Sequence, residues 1–307
     1  KTLELNNFYN DAQLLHEDIS NIDAGKYKDI LKKNNPEKLI LIGGPPCQPF
    51  SKAGYWVTNK KRQAASDPRN MIGQYLRIVD ELKPDGFVLE NVESIMHPSN
   101  IEAVESLKNE VIKMGYSMQT LRLNAADYGV PQKRKRVFFI VTKKKITVEP
   151  IREYHQSTDL FTANNYPRVI DWIGPYNSKN YAEEGEFLLN KTYFEQLISV
   201  PPGKNYFKVP DSLKTKGGIV DNKRFWSFLL KLHPLLPSWT IAAQPGPWTG
   251  PFHWEGRRLR LIEAAAIQTF PSDYKFYGSR NSIQKQIGNA VPPLLGKTVI
   301  DHLIKHI

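Results

Sequence analysis

A single cysteine, Cys47, stands in 307 residues, and methionine is nearly as scarce, at four. One thiol excludes an internal disulfide framework and any zinc site built on several thiolates. It suits a reducing compartment, so a cytoplasmic protein is expected, and the compact length of 307 residues suggests a prokaryotic or phage type. No apolar run reaches the roughly 18 residues of a membrane span. No secretory leader, internal repeat or low-complexity tract is recognisable in the sequence. Acid is also in deficit: 42 Lys and Arg face 31 Asp and Glu, a net charge of +11. That excess points to a polyanionic partner such as nucleic acid, although a basic solvated surface gives the same count.

What is present is organised around Lys38 to Ser51, KLILIGGPPCQPFS. Leu39 to Ile42 is an apolar run of buried-strand length, and Gly43-Gly44 end it. Ligands in open α/β sheets collect just beyond the carboxyl ends of strands, so Cys47 falls where chemistry is done. Pro45 and Pro46 fix φ and stiffen the approach. A lone cysteine is more often a small buried residue. The stretch Gly-Gly-Pro-Pro-Cys-Gln-Pro-Phe-Ser, however, is too polar and turn-rich for a core segment.

A second strand, Phe87-Val88-Leu89, runs straight into Glu90-Asn91-Val92, and an acid there is costly unless paired or functional. Helices are expected over Met71 to Leu82, with Ile72, Tyr75, Leu76 and Val79 on one stripe, and over Ala103 to Met114. Gln13 to His16 reads as a short strand leading to Asp18. The Asp18 carboxylate either caps the following turn or marks a binding edge. Residues 52–70 form a long basic loop, either a lid or a solvated charge run. A Gln-x-Arg-x-Arg run, Gln132, Arg134 and Arg136, opens the strand Val137 to Val141. Residues two apart on a strand share a face, so these three are expected to point one way and Lys133 and Lys135 the other. From about Tyr166 to Glu255, prolines, glycines, aromatics and lysines mix without a period, as in a small irregular domain suited to groove contacts and stacking. Arg257 to Pro271 is expected as a helix, and Gly288-Asn289-Ala290-Val291-Pro292 precedes an amphipathic closing helix.

The cysteine loop, Glu90-Asn91-Val92, the Gln-x-Arg-x-Arg run, the 257–271 segment and Gly288-Asn289-Ala290-Val291-Pro292, in that order, resemble the DNA cytosine-5 methyltransferases. The resemblance implies a Rossmann-like α/β methyltransferase fold with a smaller, irregular target-recognition domain. Residues 1–165 would be the first part of the catalytic domain and 166–255 the recognition domain. Residues 256–307 would return to the catalytic domain. It implies S-adenosylmethionine as cofactor and double-stranded DNA as partner. The reaction would be methylation at C5 of a flipped-out cytosine, within a restriction–modification system. Cys47 would be the nucleophile, with Glu90, Arg134 and Arg136 acting on the base. Asp18, Pro45, Ile72, Asn289 and Val291 would line the cofactor, and Gln48, Ser51, Lys52, Gln132 and Arg257 would contact DNA. Arg260 stands where the family usually has Ser or Thr. The family's opening Phe-x-Gly-x-Gly loop is not in this sequence. Three readings stand: a front piece outside this sequence, a second polypeptide carrying the cofactor loop, or a DNA-binding subunit without catalysis. The same chemistry on tRNA is a further alternative.

Overall fold

The computed structural model describes residues 1–6, 14–45, 71–150, 166–189, 192–214 and 225–307. Six strands are found among the described residues: β1 (Ile40–Gly43), β2 (Gly86–Val92), β3 (Ser117–Asn124), β4 (Gln132–Lys133), β5 (Lys135–Thr142) and β6 (Ser238–Trp239). The chain divides into two compact units. A sheet unit comprises residues 13–123, 135–151 and 298–307, and a second unit comprises 1–12, 124–134 and 152–297.

In the sheet unit the strand order is β1-β2-β5-β3, with β1 parallel and β5 antiparallel to β2. Alternation along the strands decides the layers. Phe87 and Leu89 of β2 share a face with Val137, Phe139 and Val141 of β5. This face is covered by Tyr75, Leu76 and Val79 of the helix Met71–Leu82 and by Val104, Leu107 and Val111 of the helix Ile101–Lys113. On the opposite face Gly86 lies under Leu303 of the closing helix Pro293–Ile304. A Cβ at Gly86 would approach that side chain to 2.8 Å. Helices on both faces of a mixed sheet make this a Rossmann-like arrangement. The helix over Met71 to Leu82 falls where the apolar stripe places it.

Three local expectations are corrected. Residues 14–16 form no strand, and Gln13 lies outside the described residues. β1 is not a buried strand: among the described residues it is the sheet edge, and Ile42 is 61% exposed. The segment 257–271 is helical only from Leu261 to Ile267. Thr269, at φ 64, stops it in a left-handed conformation that a β-branched residue rarely adopts.

The second unit holds two apolar clusters. Val169, Ile173, Ile241, Ala264, Ile267 and Ile287 belong to one, and Leu197, Tyr206, Phe228, Leu229 and Phe252 to the other. Its regular structure is sparse, as the aperiodic composition implies. β4 and β6 form a two-stranded parallel ladder, Gln132 opposite Ser238 and Lys133 opposite Trp239. The division differs from the boundaries expected at 165 and 255. Residues 124–134 and 256–297 sit in the second unit, and only 298–307 belong to the sheet unit. The reason is hydrogen bonding: the side chains of Gln132 and Arg134 are bound by partners from 241 to 290, within the second unit.

Candidate active site

Glu90 pairs in register with Phe138, and Val92 with Arg136. Arg136 is therefore the diagonal neighbour of Glu90 on the same face of the sheet, a distance a long side chain spans. Its Nε meets Glu90 Oε1 at 2.9 Å, with both side chains mostly buried. Burial pulls the Arg136 guanidinium below its ordinary value, and the adjacent Glu90 carboxylate opposes that pull. A charge-assisted pair of this kind fixes the orientation of the carboxylate.

The other carboxylate oxygen faces the end of β1. A Cβ on Gly44 would lie 3.3 Å from Glu90 Oε2. Asn91 Nδ2 donates to the carbonyl of Pro45 at 3.4 Å. Gly43 is held close by packing, since a Cβ there would strike the Tyr75 ring at 2.5 Å. The carboxyl ends of β1 and β2 thus lie side by side, and the chain leaves Pro45 toward Cys47. Cys47, Gln48, Ser51 and Lys52 lie outside the described residues.

Along the β1 edge runs a groove of about 450 Å³, with Ile22, Tyr27, Ile42, Pro45, Met71 and Tyr75 in its walls. Asp18 adjoins it through Ile19. The Asp18 carboxylate accepts from the Ser20 hydroxyl at 2.6 Å and the Ser20 amide at 2.9 Å. Those two bonds hold its carboxyl below the usual range. It caps the short turn Ile19–Asn21 and is exposed, so it remains able to accept from a ligand. Apolar walls and a carboxylate acceptor fit the adenosine end of S-adenosylmethionine. Ile72 is not in these walls; it packs against the core under the sheet.

In the second unit the Gln-x-Arg-x-Arg run is interrupted. Arg134 falls between β4 and β5, so Gln132, Arg134 and Arg136 do not share one strand face. Arg134 is 1% exposed, and Nη2 donates to the carbonyls of Gly288 at 2.8 Å and Ala290 at 3.1 Å. These carbonyls flank Asn289, the exposed last residue of the helix Arg280–Asn289. Gln132, fully buried, donates to Gln268 Oε1 at 2.6 Å and accepts from the Ile241 amide at 3.0 Å. Gln268 in turn donates to the Ala290 carbonyl at 2.6 Å. Gly288 is required by close approach, because a Cβ there would lie 2.4 Å from the Ala243 backbone. The turn carrying Asn289 and the half-buried Val291 is thereby clamped by the buried ends of the Gln-x-Arg-x-Arg run.

Arg257 and Gln132 are corrected as DNA-contacting residues. Arg257 is 1% exposed, and its guanidinium grips both oxygens of fully buried Glu263 at 2.6 and 2.9 Å. Gln132 spends its amide on the bonds just described. Arg260 shows what replaces the family's usual Ser or Thr. Its backbone amide donates to Glu263 Oε2 at 2.9 Å, as a helix N-cap does in a capping box. Its guanidinium meets Glu186 at 2.6 and 3.0 Å and the carbonyls of Tyr176 and Ser178.

The family model for C-5 cytosine-specific DNA methylases matches residues 2–305 of this chain. The chain belongs to that family. It is 37% identical over 297 residues to the type II methyltransferase M.SacI of Streptomyces achromogenes, covering 90% of this chain and 74% of that protein. With the type II methyltransferase M1.HphI of Haemophilus parahaemolyticus it shares 32% identity over 305 residues, covering 96% of this chain and 75% of the relative. Among solved structures, a prophage-encoded E. coli protein taken to be a DNA modification methyltransferase superposes with a TM-score of 0.61 at 22% identity. That alignment covers 97% of this chain and 88% of the other. S. pombe Dnmt2 superposes at 0.57 and 16% identity, over 95% of this chain and 84% of the other; at these identities the likeness is one of fold.

Two features of this DNA methylase escape sequence reasoning. The Asn91–Pro45 bond ties the end of β1 to the acid-bearing strand, and the adjacency of Asn91 to Glu90 was its available signal. Glu186 as the partner of Arg260 had none, because 74 residues and an aperiodic segment separate them.

Proposed function

We propose that this chain methylates C5 of a cytosine everted from duplex DNA, with Cys47 as nucleophile and S-adenosylmethionine as methyl donor. Cytosine C5 is too weakly nucleophilic to react unaided. Attack of the Cys47 thiolate on C6 makes C5 an enamine carbon and divides one hard step into easier ones. The sulfonium cofactor supplies an electrophilic methyl group. Glu90 hydrogen-bonds N3 and the exocyclic amine and moves a proton to the ring as charge builds. Arg136 keeps the Glu90 carboxylate aimed, and Arg134, buried and bonded to the Gly288 and Ala290 carbonyls, acts through the turn it clamps. Asp18 and Pro45 belong to the cofactor's adenosine end; for Asn289 and Val291 the family resemblance alone supports a cofactor role. Loss of the C5 proton to a base then expels the thiol. Eversion costs a few kcal/mol, offset by contacts in the pocket.

The observation that carries this reading is the Glu90–Arg136 pair at the β2 end, beside the Gly44–Pro45 start of the thiol loop. Membership of a restriction–modification system follows the type II relatives and is part of the proposal. The test is incubation with labelled S-adenosylmethionine and either duplex DNA without 5-methylcytosine or tRNA. Label in cytosine of DNA supports the reading; label only in tRNA, or in neither with DNA still bound, contradicts it.

A further inference from the structure

The turn Ile19–Asn21 presents the Asp18 carboxylate beside the β1 groove, and Ile19 and Ile22 stand in the groove's walls. Both bonds from Ser20, amide and hydroxyl, fall on Oδ1 of Asp18. Among the described residues, Oδ2 is the oxygen left to a ligand. A turn of three residues is too short to fix that oxygen by itself. Its Asn21 amide donates to the Asp18 carbonyl at 2.9 Å. The Ile22 amide reaches the Ile19 carbonyl only at 3.4 Å, the long end of the hydrogen-bond range. Ile19 also packs against the apolar core, but such contact is non-directional and does not set the angle of the carboxylate.

Arg77, on the helix Met71–Leu82, supplies the missing constraint. Its Nη2 donates to the carbonyls of Ile19 at 3.0 Å and Ile22 at 2.9 Å, the first residue of the turn and the residue that closes it. The guanidinium is tied to its own helix as well. Nη1 donates to Glu81 Oε1 at 2.9 Å and Nε to Gln74 Oε1 at 3.1 Å. Four bonds from one planar group hold it against rotation, a geometry that an ammonium does not reproduce. The same helix lends Met71 and Tyr75 to the groove, while Arg77 itself is not in the groove walls. Resting on the DNA methylase reading above, we propose that Arg77 is a positioning residue for the cofactor. It locks the Ile19–Asn21 turn to the helix that walls the groove, so that Asp18 Oδ2 meets a donor on the adenosine end of S-adenosylmethionine. A ligand that finds its acceptor already placed spends less of its binding energy on ordering the site.

The test is a double-mutant cycle read by equilibrium dialysis of labelled S-adenosylmethionine against the full chain, together with steady-state methylation of duplex DNA. Arg77→Met keeps the aliphatic stem and removes the fork. It is expected to weaken cofactor binding by about tenfold, the scale of one hydrogen bond to a charged group, and to raise KM for the cofactor with kcat close to wild type. Asp18→Asn keeps the acceptor for Ser20 and turns the ligand-facing acceptor into a donor, and is expected to weaken binding to a similar extent. Because Arg77 acts through Asp18, adding Arg77→Met to Asp18→Asn is expected to cost less than about twofold more. Should Arg77→Met fail to fold, Arg77→Lys carries the same comparison, with the charge kept, the fork lost and a loss of about threefold expected. Wild-type affinity in the folded Arg77 variant or in Asp18→Asn, a fall in kcat with KM unchanged, or losses that multiply in the double variant overturn the proposal. Where wild type binds the cofactor and methylates DNA, that failure leaves the enzyme reading standing. A wild type that binds no S-adenosylmethionine and methylates nothing overturns both.

Discussion

Glu90 uses its two oxygens differently: one is held by Arg136 and the other faces the Gly44 backbone. Glu90→Gln keeps the shape and removes both the proton and the charge. Methyl transfer from labelled cofactor is expected to fall by about 100-fold or more, the usual contribution of a placed acid or base, with DNA affinity close to wild type. Unchanged turnover would remove Glu90 from the chemistry. The acid itself was legible in the sequence, because a carboxylate following Phe87-Val88-Leu89 needs a reason. Its pairing with Arg136 was not. Strand periodicity put Gln132, Arg134 and Arg136 on one face, but the chain leaves the β4–β6 ladder at Arg134 before joining β2 as β5.

Elements were legible where one stripe faced one core. The helix Met71–Leu82 is the case in point, its stripe packed against Phe87 and Leu89. The segment after Arg257 was not, because its first residues serve ion pairs. Arg257–Glu263 and Arg260–Glu186 are buried pairs, and removing one partner of such a pair costs about 3–5 kcal/mol. They also depress the neighbouring His253, which is fully buried against Trp254. Burial, then Arg257, Arg260 and Lys231, push its pKa down to about 3. Its Nδ1 accepts from the Glu255 amide, so the native ring is neutral. In the unfolded chain the imidazole titrates near 6.5. Between about 6.5 and 3 the unfolded state therefore binds a proton that the native state refuses, and stability falls as pH falls, by up to ~1.4 kcal/mol per unit from this group. Glu186, held below the usual carboxylate range by Arg260, adds loss in the same direction at lower pH. Urea unfolding across pH 7 to 4 is expected to show this slope, and a folded His253→Gln variant a shallower one above pH 5. A slope identical in the variant would contradict the assignment.

At the scale of the molecule, order and type of motifs revealed the family, while the boundaries of the two units were hidden. Residues 124–134 and 256–297 join the second unit through Gln132, Arg134, Gln268 and Gly288, side chains and a close approach that no composition shift announces. The account as a whole depends on a sulfur–carbon bond between Cys47 and the target base. Duplex DNA built with 5-fluorocytosine tests it, because fluorine cannot leave C5 as a proton does and the thiol stays attached to C6 after methyl transfer. Mass spectrometry of the denatured reaction with S-adenosylmethionine is predicted to find protein and DNA joined, with one added methyl group, at Cys47. The adduct is predicted to vanish in Cys47→Ser. Methylation of ordinary cytosine without any such adduct, or an adduct on another residue, would contradict the account.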